Sequence, residues 1–113
     1  MIWIGTCGFG RRQADAFRDL QAVEVQQTFY RPVDVDTARR WRVAAPDDFV
    51  FTVKASQFIT HPASSPTYRR GGRIIPPAEA AAYGMFQETP AVEEGWRATA
   101  AVAEALRAMV IVF

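Results

Sequence analysis

Glu24 stands between two valines. In Val23-Glu24-Val25-Gln26-Gln27-Thr28-Phe29-Tyr30, the valines alternate with Glu24 and Gln26. A strand sends successive side chains to opposite faces, so one face here is apolar. The other carries a carboxylate, an amide and the Thr28 hydroxyl. A core strand does not bury an unpaired carboxylate, because removing a charge from water without a partner is very costly. The stretch therefore predicts a strand that turns polar and then aromatic, opening a polar hollow at the carboxyl end of a sheet.

Phe49-Val50-Phe51-Thr52-Val53-Lys54 repeats the pattern and is the clearest strand in the chain. Phe49, Phe51 and Val53 share an apolar face, and Val50, Thr52 and Lys54 share one that grows polar toward its end. Two further apolar runs complete a set of four: Met1 to Gly5, leading into the loop Gly5-Thr6-Cys7-Gly8-Phe9-Gly10, and Val110 to Phe113. Helical spacing falls between them. Gln13 to Leu20 sets Phe17 and Leu20 on one side. A helix capped by Asp34 or Asp36 runs to about Ala44 and buries Val35, Ala38 and Trp41. Thr89-Pro90 opens a longer helix with Glu93 and Glu94 in its first turns, where the helix dipole favours acids. Its expected stripe is Val92, Trp96, Thr99, Val102 or Ala103, Leu106 and Met109. Between residues 55 and 89 there is no strong period, apart from a short helix expected at Pro77 to Tyr83. A connection that long inside a compact domain is more often functional than accidental.

The order β-α-β-α-β-loop-α-β implies a parallel sheet with right-handed crossovers. An open doubly wound sheet, covered on both sides, wants two apolar faces. One polar face suits the lumen and mouth of a (β/α) barrel better, and there active sites lie at the strand carboxyl ends. The fold class expected is α/β: a partial TIM-type barrel of about four parallel strands with covering helices. With 113 residues the chain is a single domain, and a complete eight-fold barrel needs roughly 200 or more. Four strands make half a barrel. A second chain, or a carboxyl-terminal half, is then needed to complete the sheet, since the bare Val110–Phe113 strand invites pairing.

Composition narrows the partners. Half the residues are hydrophobic, 22% are charged and the net charge is +1. That balance argues against a large nucleic-acid footprint. No run reaches the roughly 20 apolar residues of a membrane span. Cys7 is the only cysteine, which rules out an internal disulfide and fits a reducing compartment; with no signal-peptide pattern at the start, a cytoplasmic location is expected. The basic residues are twelve arginines and one lysine, so Lys54 stands out.

Five stretches in order resemble the Domain of Unknown Function 72 family, also called YecE-like. They are Ile4-Gly5-Thr6-Cys7-Gly8-Phe9, Val23 to Tyr30, Trp41, Phe51-Thr52-Val53-Lys54-Ala55 and Ile59-Thr60-His61. The family pattern has Ser where Cys7 stands, Trp where Phe9 stands, and often Asn where Gln26 stands. The resemblance implies a TIM-type barrel of more than twice this length, with this chain as its N-terminal half. It supplies no reaction and leaves the cofactor unknown.

Among the candidate residues, Glu24 suits a general acid or base, or a metal ligand, at a strand end. The competing account is a buried ion pair with Lys54 or an arginine. Lys54 suits an anion clamp better than Schiff-base chemistry, since a neighbouring carboxylate works against the lowered pKa that chemistry needs. His61, the only histidine, lies in the loop after the third strand and suits proton transfer or substrate contact, or else ties that loop down. Thr6, Gln26, Thr28 and Tyr30 are the candidate substrate contacts. Cys7 reads as an inert thiol in a tight turn. Tyr68-Arg69-Arg70-Gly71-Gly72-Arg73, basic with one aromatic, reads as a solvated loop in preference to a contact with a phosphate backbone. One histidine and one cysteine, far apart, make no metal site alone. The function expected is a polar or anionic small-molecule site of hydrolase or isomerase type. The alternative is a non-catalytic binding or assembly module pairing through its last strand.

Overall fold

Four parallel strands lie in the order β1-β2-β3-β4 in the computed structural model, which describes residues 1–113. They are β1 (Gly5–Cys7), β2 (Ala22–Val25), β3 (Val50–Lys54) and β4 (Val110–Val112). Between them run α1 (Gln13–Asp19), α2 (Gln27–Tyr30), α3 (Val35–Ala44), α4 (Gln57–Thr60), α5 (Thr67–Arg70) and α6 (Pro90–Leu106). A single 3-10 turn, Ala80–Ala82, precedes α6. The sheet is open, with β1 and β4 at its edges. This is the α/β, partial TIM-type arrangement that the sequence pattern implies.

Register fixes what each face carries. Val23 lies opposite Phe51, Val25 opposite Val53, and Val53 opposite Ile111. These residues join Phe17, Ala38, Phe49, Val102, Ala103 and Leu106 in one core. Helices α1, α3 and α6 therefore cover this face. Each large side chain buried there contributes about 1.5–3 kcal/mol against leaving it in water. The other face has no helix against it.

The capping chemistry of α6 follows the sequence closely. Thr89 accepts from the Val92 amide, and Pro90 fills the first turn. The helix ends at Arg107 in the left-handed region, with the Ala108 amide bonding back to Ala103. Its buried stripe, however, is Gly95, Thr99, Val102, Ala103 and Leu106. Trp96 and Met109, expected inside, are 45% and 58% exposed. The reason is close packing: a Cβ at Gly95 would lie 2.8 Å from Phe58 Cβ, so α6 meets α4 through its glycine.

Other boundaries shift for physical reasons. The first strand is Gly5–Cys7, not Met1–Gly5; of the preceding residues, Ile4 is held by the Gln21 amide and side chain. Strand β2 stops at Val25, and Gln27–Tyr30 is a helical turn, not a strand end. Val35 and Trp41 are half-buried, and only Ala38 of the expected α3 set is fully inside. The expected helix at Pro77–Tyr83 contracts to the 3-10 turn. The segment 55–89 is built, not structureless, around Phe58, Tyr68 and Tyr83. Arg73 lies over the Phe58 ring at 4.6 Å and donates to the Tyr83 hydroxyl.

Candidate functional site

Residues of opposite parity to the core make the bare face. Gly5, Ala22 and Val50 lie at its amino end; next come Cys7, Glu24, Thr52 and Val110 in one row. Lys54 and Val112 pair one step further on, with Gln26 just past the end of β2. Polarity rises toward the carboxyl ends of β2 and β3. Glu24, Gln26, Thr52 and Lys54 are each half-buried.

Glu24 and Lys54 share this face without pairing. The strand spacing and rise place their Cα atoms about 8 Å apart, one strand over and two residues on. The ion pairs of the chain join Arg11, Arg12, Arg18, Arg39 and Arg97 to acids of α1, α3 and α6. Neither Glu24 nor Lys54 belongs to one, so the buried-pair account of the two residues does not hold. Glu24 has one polar partner, the Gln26 amide, which donates to Oε1. Its other oxygen has no protein partner.

At the strand ends the chain turns sharply. The Thr28 hydroxyl, buried, reaches Lys54 O at 2.5 Å and Val25 O at 3.1 Å. It thereby closes the α2 turn onto the end of β3. Tyr30 and Phe29 meet edge to face with centroids 4.9 Å apart, and Phe29 meets the His61 ring the same way, also at 4.9 Å. His61 follows α4 and bonds through Nδ1 to the Thr60 hydroxyl at 2.6 Å, leaving Nε2 without a protein partner. The loop bearing His61 is fixed by Tyr68, whose hydroxyl lies 2.9 Å from His61 O and 3.2 Å from Gln57 O. Burial pushes the Tyr68 phenol up to about 12.

The structure thus brings Glu24, Gln26 and Lys54 onto one face, with Tyr30 and His61 on turns beyond the same strand ends. It does not bring Thr6 there. Thr6 pairs with Val23, on the covered-face parity, and its hydroxyl donates to Gly8 O. Cys7, read from sequence as a tight-turn thiol, takes the bare-face position beside Glu24 and is exposed. Sequence reasoning missed Gln57. Its side chain is fully buried, its amide donates to Tyr30 O and Thr67 O, and its Oε1 has no partner. Only the unbroken Ala55-Ser56-Gln57-Phe58-Ile59 burial marks it, and burial of that kind is a tertiary fact. No three His, Cys, Asp or Glu side chains converge anywhere in the chain.

With this geometry in place, the comparisons with known proteins decide the family. The family model described as protein of unknown function DUF72 matches residues 7–112. The chain belongs to the DUF72 family. Among solved structures it is similar to a DUF72 family protein from Enterococcus faecalis V583, with a TM-score of 0.60 and 20% identity. That match covers 98% of this chain and 38% of the other, so this chain spans well under half the length of its structural relative. At that identity the likeness speaks for the DUF72 fold alone. No curated protein matches the sequence. No helix of this DUF72 chain is long and apolar enough to cross a membrane.

Proposed function

We propose that the bare face is part of the lumen floor of a DUF72 barrel and binds a polar, anionic small molecule at the carboxyl ends of β2 and β3. One observation carries this reading: a half-buried carboxylate and the chain's only lysine share an uncovered face, and neither is neutralised by the other. Half-burial leaves each charge partly open, so an oppositely charged or hydrogen-bonding ligand group can reach it.

Glu24 is the acid or base. Gln26 anchors one carboxylate oxygen, so the free oxygen has a fixed direction in which to take or give a proton. Lys54 attracts the anionic group as a point charge. His61, with Nε2 free at the rim, carries or orients the second proton. Tyr30 lines the entrance. Thr28 and Thr6 act on the backbone, shaping the turns at the ends of β3 and β1. Two proton-handling groups and an anion clamp suit a hydrolase or an isomerase. Further βα units, from the same polypeptide or a second chain, would wall the other side.

The test is ligand-dependent thermal stabilisation across a panel of carboxylated sugars that carry no phosphate. An anionic sugar should raise the melting temperature of the parent protein. The Lys54→Met variant should lose that shift while keeping its fold by circular dichroism. Shifts that survive Lys54→Met together with Glu24→Gln would refute the lumen site.

A second reading rests on β4. It is an edge strand with Val110 half exposed, and Phe113 beside it stacks on the exposed Trp96. Such an edge suits a non-catalytic assembly module. Sedimentation of the chain separates the two: concentration-dependent self-association abolished by Val110→Lys favours assembly.

A further inference from the structure

A second polar site lies beyond the sheet, where α2 and α5 end side by side. Arg31 follows Tyr30 at the end of α2; Arg69 and Arg70 close α5. With Tyr30, Gly71 and Gly72 they line a pocket of about 300 Å³ that contains no acidic residue. Elsewhere in the chain, five arginines sit in ion pairs, Arg40 bonds Thr37, Arg42 bonds backbone carbonyls, and Arg73 is engaged by Tyr83 and Phe58; only Arg107, at the end of α6, is also without a side-chain partner. The three guanidinium groups of the pocket, and the Tyr30 hydroxyl, have no partner at all.

Their proximity is built in. The fully buried Gln57 amide donates both to Tyr30 O, one residue before Arg31, and to Thr67 O, two residues before Arg69. Gly71 presses against the same carbonyl: a Cβ there would stand 2.4 Å from Tyr30 O, so only glycine permits this approach. A buried side chain and an obligatory glycine thus clamp three like charges together. The usual account of basic residues at helix ends, neutralisation of the dipole, is weak for helices of four residues each. Planar guanidinium forks around a concave space match the oxygens of a phosphate group.

We propose that this pocket binds the phosphate group of a phosphorylated small molecule. The proposal goes beyond the lumen reading and requires neither Glu24 nor Lys54. A single concave cluster suits one phosphate; a nucleic-acid strand calls for a basic track along successive phosphates, which a chain of net charge +1 does not offer.

Isothermal titration of the chain with inorganic phosphate and with pyrophosphate, at constant ionic strength in chloride, tests it. Saturable binding is expected, weakened about tenfold by Arg31→Gln or Arg69→Gln, the usual cost of one charged hydrogen-bonding partner. Arg69→Gln with Arg70→Gln should abolish it. Arg39→Gln, an equal charge loss on α3, should leave it unchanged. These are exposed side chains, so folding is retained, which circular dichroism verifies. No saturable phosphate binding, or equal weakening by Arg39→Gln, overturns the pocket. A single-stranded oligonucleotide bound far more tightly than pyrophosphate, with a steep salt dependence, overturns the small-molecule assignment. Because the readout is phosphate alone, failure here leaves the Lys54 result standing, and the reverse also holds.

Discussion

The two faces of the sheet are made from the same strands, the same hydrogen bonds and alternating residues, yet they differ in every other respect. On the covered face Val23, Val25 and Phe51 are each 1% exposed and Val53 is sealed. On the bare face Glu24, Gln26, Thr52 and Lys54 stay half-buried with no helix over them. Residue parity alone separates the part of the molecule that holds it together from the part free to meet a ligand. Neighbours in sequence should therefore respond very differently to truncation. Phe51→Ala removes a sealed ring that receives the Phe17 and Phe49 edges, and should cost about 3–5 kcal/mol. Thr52→Ala, the next residue, should fall within about 0.5 kcal/mol of the parent. Urea unfolding of the two variants checks this, and similar midpoints would break the contrast between the faces.

The contrast sharpens beyond the strand ends, where segment 55–89 has a small core of its own. Phe58, Tyr68 and Tyr83 pack there with ring centroids 5.2–5.9 Å apart. Tyr68 links this cluster to the His61 loop through one hydroxyl, and Tyr68→Phe should cost about 1–2 kcal/mol. It also carries a pH signature. The folded state raises the Tyr68 phenol to about 12, chiefly by burial and then by Tyr83, against the opposing pull of Arg73. Between the ordinary phenol value near 10 and about 12, the unfolded chain loses this proton while the folded one keeps it. Unfolding then releases a proton, so this contribution is full below pH 10 and is lost as pH rises toward 12. Denaturant midpoints measured from pH 9 to 12 should fall more steeply for the parent than for Tyr68→Phe.

How much of this was legible in the sequence follows from where the forces originate. Period-two alternation marks β2 and β3 because strand parity is local, and it marks the bare polar face for the same reason. Thr89-Pro90 marks the start of α6 because a cap acts within four residues. The end of β2 was not legible. Alternation runs on to Thr28, but the Thr28 hydroxyl finds Lys54 O, 26 residues away, and the chain turns instead. Trp96 was misplaced because helical period alone cannot report that Phe58 leaves room only for the hydrogen of Gly95. The arginine pocket stayed hidden for a like reason. Arg31 and Arg69 look like separate surface charges until Gln57 is seen to bridge their backbones.

The smallest expected effect bears most directly on function. If Glu24 and Lys54 stabilised each other as a buried pair, removing either would leave an uncompensated charge and cost about 3–5 kcal/mol. Here they lie diagonally on an uncovered face, and Glu24 leans on Gln26 instead. Glu24→Gln keeps the shape of the side chain and a polar partner for Gln26; Lys54→Met keeps the apolar stem. Each should change stability by less than about 0.5 kcal/mol, and the double variant should equal their sum within about 0.5 kcal/mol. A coupling above about 1 kcal/mol in this cycle would turn the bare face into a second structural surface. Near-zero coupling would leave two opposite charges, with Cα atoms about 8 Å apart on one face, independent of each other, and a bound molecule spanning them is what that spacing accommodates.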